Sequence, residues 1–329
     1  MTNLQVTMAC GPYDRLQALK EGIIKPEGID LRYIEIQSPP EIFARMLKTH
    51  SFDIAEMSSA HYITMKSRGN FPYIALPVFP SRLFRHGFIF INRNSGISRP
   101  SDLKGKRIAV QEYRQSAGVW IRGILKSEYG VDFSDVTWFE GGVDTPRRFD
   151  ETMDLRPSGA LNLKLIGPDK SISDVLSTGE VDAYFGARAP KAFFECEDVV
   201  RLFPNYRAEE RAYFERTGIY PIMHTMVMPE AFHEANPWAA EALFKALSEA
   251  KKWAIEQMRF SGAQRYMLPW LFDDIDEMDV LFNGDPCPYG IEPNRLTLNT
   301  AIEYLFDQGF IENKMEVDDL FAPIVGWTE

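Results

Sequence analysis

Ser51-Phe52-Asp53-Ile54-Ala55 sets an aspartate at the head of a short apolar strand that follows a helix. Glu180-Val181-Asp182-Ala183-Tyr184 does the same in the middle of the chain. Helix–turn–Asp–strand is common grammar in α/β proteins. Its return in a separate part of one chain points to two similar α/β lobes with a ligand cleft between them. The flanking sequence fits. Leu4–Ala9, Ile29–Ile36, Gly87–Asn92, Arg107–Val110 and Ile222–Met228 read as strands, and 40–48, 116–129 and 171–177 as helices. From Trp238 a long amphipathic helix begins, with further helices after it. Phe71–Pro80 carries three prolines and reads as punctuation. The lobes are expected at 1–92 with 218–329, and at 93–217.

Composition narrows the function. The 329 residues carry 36 Lys+Arg against 47 Asp+Glu, a formal charge of −11, which argues against a nucleic-acid partner. The doublet Arg147-Arg148 is too short to reverse that. No apolar run approaches the roughly 20 residues a membrane span needs. Three scattered cysteines form no closed disulfide framework, and no basic and apolar leader opens the sequence, so a cytoplasmic protein is expected. Phosphate-binding glycine loops, a nucleophile elbow, Cys-x-x-Cys and His-Glu-x-x-His are all missing from the sequence, so no preformed zinc site is expected, while a metal held by histidines and carboxylates distant in sequence stays open.

The phrases Asp102-Leu103-Lys104-Gly105-Lys106-Arg107-Ile108-Ala109-Val110 and Gly179-Glu180-Val181-Asp182-Ala183 resemble the type 2 periplasmic-binding-protein fold. A narrower resemblance runs through Arg82-Leu83-Phe84-Arg85-His86, Val119-Trp120-Ile121-Arg122-Gly123-Ile124-Leu125, Arg201-Leu202-Phe203-Pro204, Pro221-Ile222-Met223-His224 and Gln308-Gly309. These are similar to the 4,5-dihydroxyphthalate decarboxylase family. That resemblance implies a cytoplasmic homo-oligomer that removes one carboxylate from a dihydroxylated phthalate, giving protocatechuate, without an organic cofactor.

A benzene dicarboxylate is a flat dianion, and the planar guanidinium of arginine grips carboxylates with paired hydrogen bonds. Arg82, Arg85, Arg114, Arg147 and Arg188 fall in or beside loops and strand ends. Arg122 lies inside a helix, where a salt bridge or exposed charge is expected. Ser58 and Ser116 sit at helix starts, where a hydroxyl can cap the helix or meet an anion. Decarboxylation also needs a proton for the ring carbon. His86 and His224 are the candidate acids, because imidazole titrates near neutral pH. Glu112 or Glu140 could orient a histidine or hold a ring hydroxyl. The departing carboxylate should face a less cationic wall, since a salt bridge held equally in ground and transition state adds no rate. The rival reading is a solute-binding protein for an aromatic or other organic acid, which needs the arginines but no proton donor. A pyrimidine-biosynthesis enzyme of this fold is a third, and its expected cysteine-rich motif is missing from the sequence.

Overall fold

The computed structural model describes residues 2–147, 157–158 and 161–324, so Arg148 lies outside the described residues. The chain forms two compact units. The first comprises Met1–Arg82, His224–Leu298 and Met315–Glu329; the second comprises Leu83–Met223 and Asn299–Lys314.

The sheet of the first unit contains β1 (Leu4–Cys10), β2 (Ile29–Glu35), β3 (Ile54–Ser58), β4 (Tyr73–Arg82) and β11 (Ile222–Pro229), in the order β2-β1-β3-β11-β4. That of the second contains β5 (Ile89–Asn92), β6 (Arg107–Val110), β7 (Thr137–Glu140), β8 (Leu163–Leu165), β9 (Ala183–Phe185) and β10 (Val199–Arg201), in the order β10-β5-β9-β6-β7-β8. β1 runs parallel to β2 and β3, and β11 runs antiparallel to β3. β6 runs parallel to β7 and β9, and β5 runs antiparallel to β9. The topology is the same twice, with β8 added at one edge.

The repeated aspartates have one job in both sheets. Asp53 Oδ2 accepts the Thr7 backbone N–H (2.8 Å) and its hydroxyl (2.7 Å). Asp182 Oδ2 accepts the Arg107 backbone N–H at 2.8 Å. In each case the carboxylate at the head of one strand satisfies the neighbouring parallel strand, a backbone donor that would otherwise be costly to leave unpaired. Among described residues, no helix is long and apolar enough to cross a membrane.

Three expectations need correction. Ile89–Asn92 pairs with β9 and β10, so residues 83–92 belong to the second unit rather than the first. The chain returns after Met223, and the C-terminal segment Asn299–Lys314 also joins the second unit instead of staying with the first. Phe71–Pro80 is not punctuation: most of it is the ten-residue strand β4. β4 is an edge strand, where a proline need not supply a ladder donor, so Pro77 and Pro80 are tolerated.

Candidate functional site

In the first unit the sheet buries a carboxylate completely. Glu56 on β3 has 0% exposure, and a buried charge must be paired to persist. Its Oε2 accepts the Gly11 N–H (2.9 Å) and the Cys10 thiol (3.4 Å); its Oε1 accepts the Tyr13 hydroxyl (2.6 Å). The fourth partner is His224, whose Nδ1 lies 2.5 Å from Glu56 Oε1. Register explains the pair. His224 lies opposite Ser58 and Met226 opposite Glu56, so histidine and glutamate are diagonal neighbours on one face of adjacent strands. Burial raises the Glu56 carboxyl, but the His224 charge, its hydrogen bond, Tyr13 and the Gly11 N–H together hold it below the ordinary carboxylate value. The carboxylate therefore fixes the imidazole by Nδ1 and leaves Nε2 as the ring nitrogen that Glu56 does not hold. The His224 ring is steadied edge-on by Phe43, with centroids 5.1 Å apart. Tyr13 in turn carries the Arg15 guanidinium 4.7 Å above its ring. The sequence singled out His224 as a candidate, whereas Glu56, Tyr13 and Cys10, which cluster with it here, were not among the candidates. The available signal was a lone glutamate inside a strand otherwise read as buried.

In the second unit Arg85 and His86 are both buried, at 4% and 1% exposure. His86 is walled by the rings of Phe203, Tyr213 and Tyr129, at centroid distances of 5.3, 5.4 and 6.1 Å. Among described residues neither ring nitrogen has a hydrogen-bond partner, and burial, helped by the Arg216 charge, pushes its pKa down to about 4. At neutral pH this imidazole is a neutral core group. Arg85 Nε meets the Met223 thioether at 3.1 Å and one amino group reaches the Ala187 carbonyl at 3.4 Å. Glu112 accepts from Arg114 Nε (3.2 Å) and Arg147 (2.7 Å). Burial raises its carboxyl, but the two guanidiniums win and hold it low. Arg188 pairs with Asp144, and Glu140 accepts the Tyr113 N–H at 2.6 Å. Ser116 is the first helical residue rather than the cap, a place taken by Gln115. In the first unit, Ser58 caps the helix Ser59–Ser67 by accepting from the His61 N–H, and Arg82 donates to Asn294 Oδ1 at 2.7 Å. Among described residues, no group of three or more His, Cys, Asp or Glu side chains is arranged to hold a metal ion.

The chain is 35% identical over 324 residues to a 4,5-dihydroxyphthalate decarboxylase of Comamonas testosteroni, covering 98% of both chains. It belongs to that family. A second relative carrying the same name, from Pseudomonas putida, is 39% identical over 193 residues, which is 59% of this chain and 74% of the relative. Residues 16–145 match the family described as ABC transporter, phosphonate, periplasmic substrate-binding protein. Among solved structures, the periplasmic aliphatic sulphonate binding protein of Escherichia coli superimposes with a TM-score of 0.52 at 13% identity, over 97% of each chain. The alkanesulfonate-binding protein of Xanthomonas axonopodis pv. citri gives 0.52 at 12% identity, over 98% of each chain. The fold is that of periplasmic binding proteins, used here by a decarboxylase family.

The phrases that resemble this decarboxylase family largely pack on one another in the second unit. Trp120 Nε1 donates to the Ile222 carbonyl (2.9 Å), and Arg201 Nε to the Gly87 carbonyl (2.9 Å). Arg122 Nε donates to Gln308 Oε1 (2.7 Å). The salt bridge or exposed charge expected of Arg122 from its helix position is corrected: among described residues it has no ion-pair partner, and it is buried. It is 2% exposed, with its guanidinium 3.8 Å over the Tyr113 ring and a hydrogen bond to the Tyr113 carbonyl. Flat stacking and carbonyl acceptance let a cation be buried there.

Glu210 gives a stability test for this unit. Its carboxylate accepts the Gly87 N–H at 2.9 Å, yet burial pushes its pKa up to about 7, against the opposing pull of Gly87, Arg85, His86 and Arg201. Between its ordinary value and about 7, the folded state holds a proton that the unfolded state releases, so stability falls as pH rises through that window. Glu210→Gln should remove this slope. Its melting temperature relative to the native chain should climb from pH 5 to pH 8, and a constant difference would show that Glu210 is not the titrating group.

Proposed function

We propose that the protein decarboxylates a hydroxylated aromatic dicarboxylate, 4,5-dihydroxyphthalate, to protocatechuate and CO2, with no organic cofactor. The family membership supports the substrate class. The observation that carries the chemistry is the Glu56–His224 pair, because a protein that only captures an acid has little use for a carboxylate-oriented imidazole.

In this reading the ring hydroxyls push electron density onto the carbon bearing the departing carboxylate. The His224 Nε2–H adds its proton to that carbon. The carbon–carboxylate bond then breaks, its electron pair restores the aromatic ring, and CO2 leaves. One proton is taken from solution per turnover to recharge the histidine. His224 is preferred to His86 as the acid, since a buried imidazole titrating near pH 4 holds no transferable proton at neutral pH. Arg82, Arg85, Arg114 and Arg188 are the candidates for gripping a carboxylate. The same reading makes the enzyme a cytoplasmic homo-oligomer.

The test is to incubate the protein with 4,5-dihydroxyphthalate, with and without EDTA, following protocatechuate and CO2 together. Equal amounts of both products support the reading, and loss with EDTA would call for a metal that the reading omits. A ligand-induced rise in melting temperature without CO2 would favour the solute-binding alternative, which the likeness to sulphonate-binding folds keeps in view.

A further inference from the structure

Arg85 poses a problem that the fold alone does not solve. A guanidinium has five N–H donors, and burying it without a counter-charge costs several kcal/mol. Arg85 is 4% exposed, yet its described partners are a thioether, a carbonyl at 3.4 Å and the Phe88 ring at 5.3 Å. Among described residues no carboxylate lies within ion-pair distance of it. Glu210 is near enough to act on its charge but is committed to the Gly87 N–H. Burial accordingly lowers the Arg85 pKa to about 10.

A second, independent orphan sits beside it. Tyr184 on β9 is fully buried, and among described residues its hydroxyl has no hydrogen-bond partner. Tyr184 and Arg85 each feel the other's charge. The hydroxyl is admitted by a glycine, since a Cβ on Gly186 would lie 2.4 Å from it. The next residue, Ala187, supplies the carbonyl that Arg85 touches. One short turn after β9 thus touches both a buried cation and a buried hydroxyl donor without a described partner. In native proteins such groups are rarely left unsatisfied, and an oxyanion would satisfy both.

We propose that Arg85 and Tyr184 form a seat for one carboxylate of a small organic acid. This rests on the proposed function for the class of its natural ligand, an aromatic carboxylate. Tyr184 then acts as a binding residue that discriminates acids from neutral catechols.

Phthalate, a dianion without the activating hydroxyls, separates binding from turnover, and calorimetry with phthalate and with catechol reads the seat directly. Arg85→Met should weaken phthalate binding about tenfold to a hundredfold, the range of a charged hydrogen bond, and leave catechol unaffected. Its melting temperature should stay level or rise, because an apolar residue of similar volume removes a buried charge. Tyr184→Phe should weaken phthalate binding about tenfold at an unchanged melting temperature, which keeps the test sound if Arg85→Met folds poorly. Phthalate affinity within twofold of the native chain in both variants, or no phthalate binding by the native chain, would overturn the seat. Failure of the decarboxylase reading shows separately, as missing CO2 from 4,5-dihydroxyphthalate in a chain that still binds phthalate through Arg85.

Discussion

His224→Asn is expected to lower decarboxylation by about 10²–10⁴-fold, the usual worth of a positioned general acid, while ligand affinity stays within about tenfold. The split follows from geometry. Asparagine keeps a polar side chain beside Glu56 but carries no proton that it can give up near neutral pH. Binding groups are untouched, so the loss should fall on kcat and not on KM. Turnover at the native rate would remove His224 from the acid role.

Glu56→Gln gives the complementary result. Gly11 and Tyr13 donate to different carboxylate oxygens, so the amide oxygen can keep the Gly11 N–H while the amide NH2 faces the Tyr13 hydroxyl oxygen and His224 Nδ1, both able to accept; the chain should fold, but the fixed charge behind the imidazole is gone. Turnover should drop by less than in His224→Asn. Stability should respond with a definite sign. The Glu56 carboxyl is held below its ordinary value in the fold, so its contribution is present above that value and lost as pH falls through the lowered one. The native chain should therefore lose its advantage over Glu56→Gln on acidification, as read by melting temperature from pH 7 down to pH 3. A gap that widens in acid would mean that the carboxylate is not ionised at neutral pH.

The fold was legible because its decisive signal is local. Asp53 and Asp182 each announce a strand, and the structure shows both doing so by the same bond to the next strand. β4 was hidden for an equally physical reason. Its prolines forbid a central strand but not an edge, and edge position is a property of the finished sheet. The site was half legible. His224 stood out as a titratable group in an apolar strand, whereas Glu56 needed the β3–β11 register before its partner could be known. His86 and Arg85 are adjacent in sequence and looked like one unit. Burial separates their chemistry, leaving one a neutral ring among aromatics and the other a cation with no carboxylate at ion-pair distance among described residues. The phrases resembling the decarboxylase family mislead in one respect. Trp120, Arg122, Arg201 and Gln308 serve packing within the second unit, so resemblance at those positions reports fold more than chemistry.

Gly123→Ala should destabilise the protein even though glycine-to-alanine changes inside helices ordinarily gain about 1 kcal/mol. Gly123 lies in the buried part of the helix Ser116–Tyr129, and a Cβ there would fall 2.1 Å from Tyr304 Cδ2 and 2.4 Å from Cε2. The ring cannot simply swing away. Its hydroxyl is bonded to Ser127 at 2.8 Å, its edge lies against Trp120 at 5.4 Å, and its helix is anchored through Gln308 to Arg122. Overpacking of this kind costs typically about 1–3 kcal/mol and more where neighbours are rigid, which exceeds the propensity gain. A melting temperature lowered by several degrees is the expected reading, and an increase would show that Tyr304 yields. The double variant Gly123→Ala with Tyr304→Ala discriminates further. If the clash is the cause, removing the ring relieves it, and the two changes together should cost less than their sum by about 0.5–3 kcal/mol. Additive losses would mean that Gly123 is required for the helix backbone itself. Coupling would instead identify the Gly123–Tyr304 packing as what binds Asn299–Lys314 to the second unit, explaining why a C-terminal segment leaves the unit that its neighbours in sequence belong to.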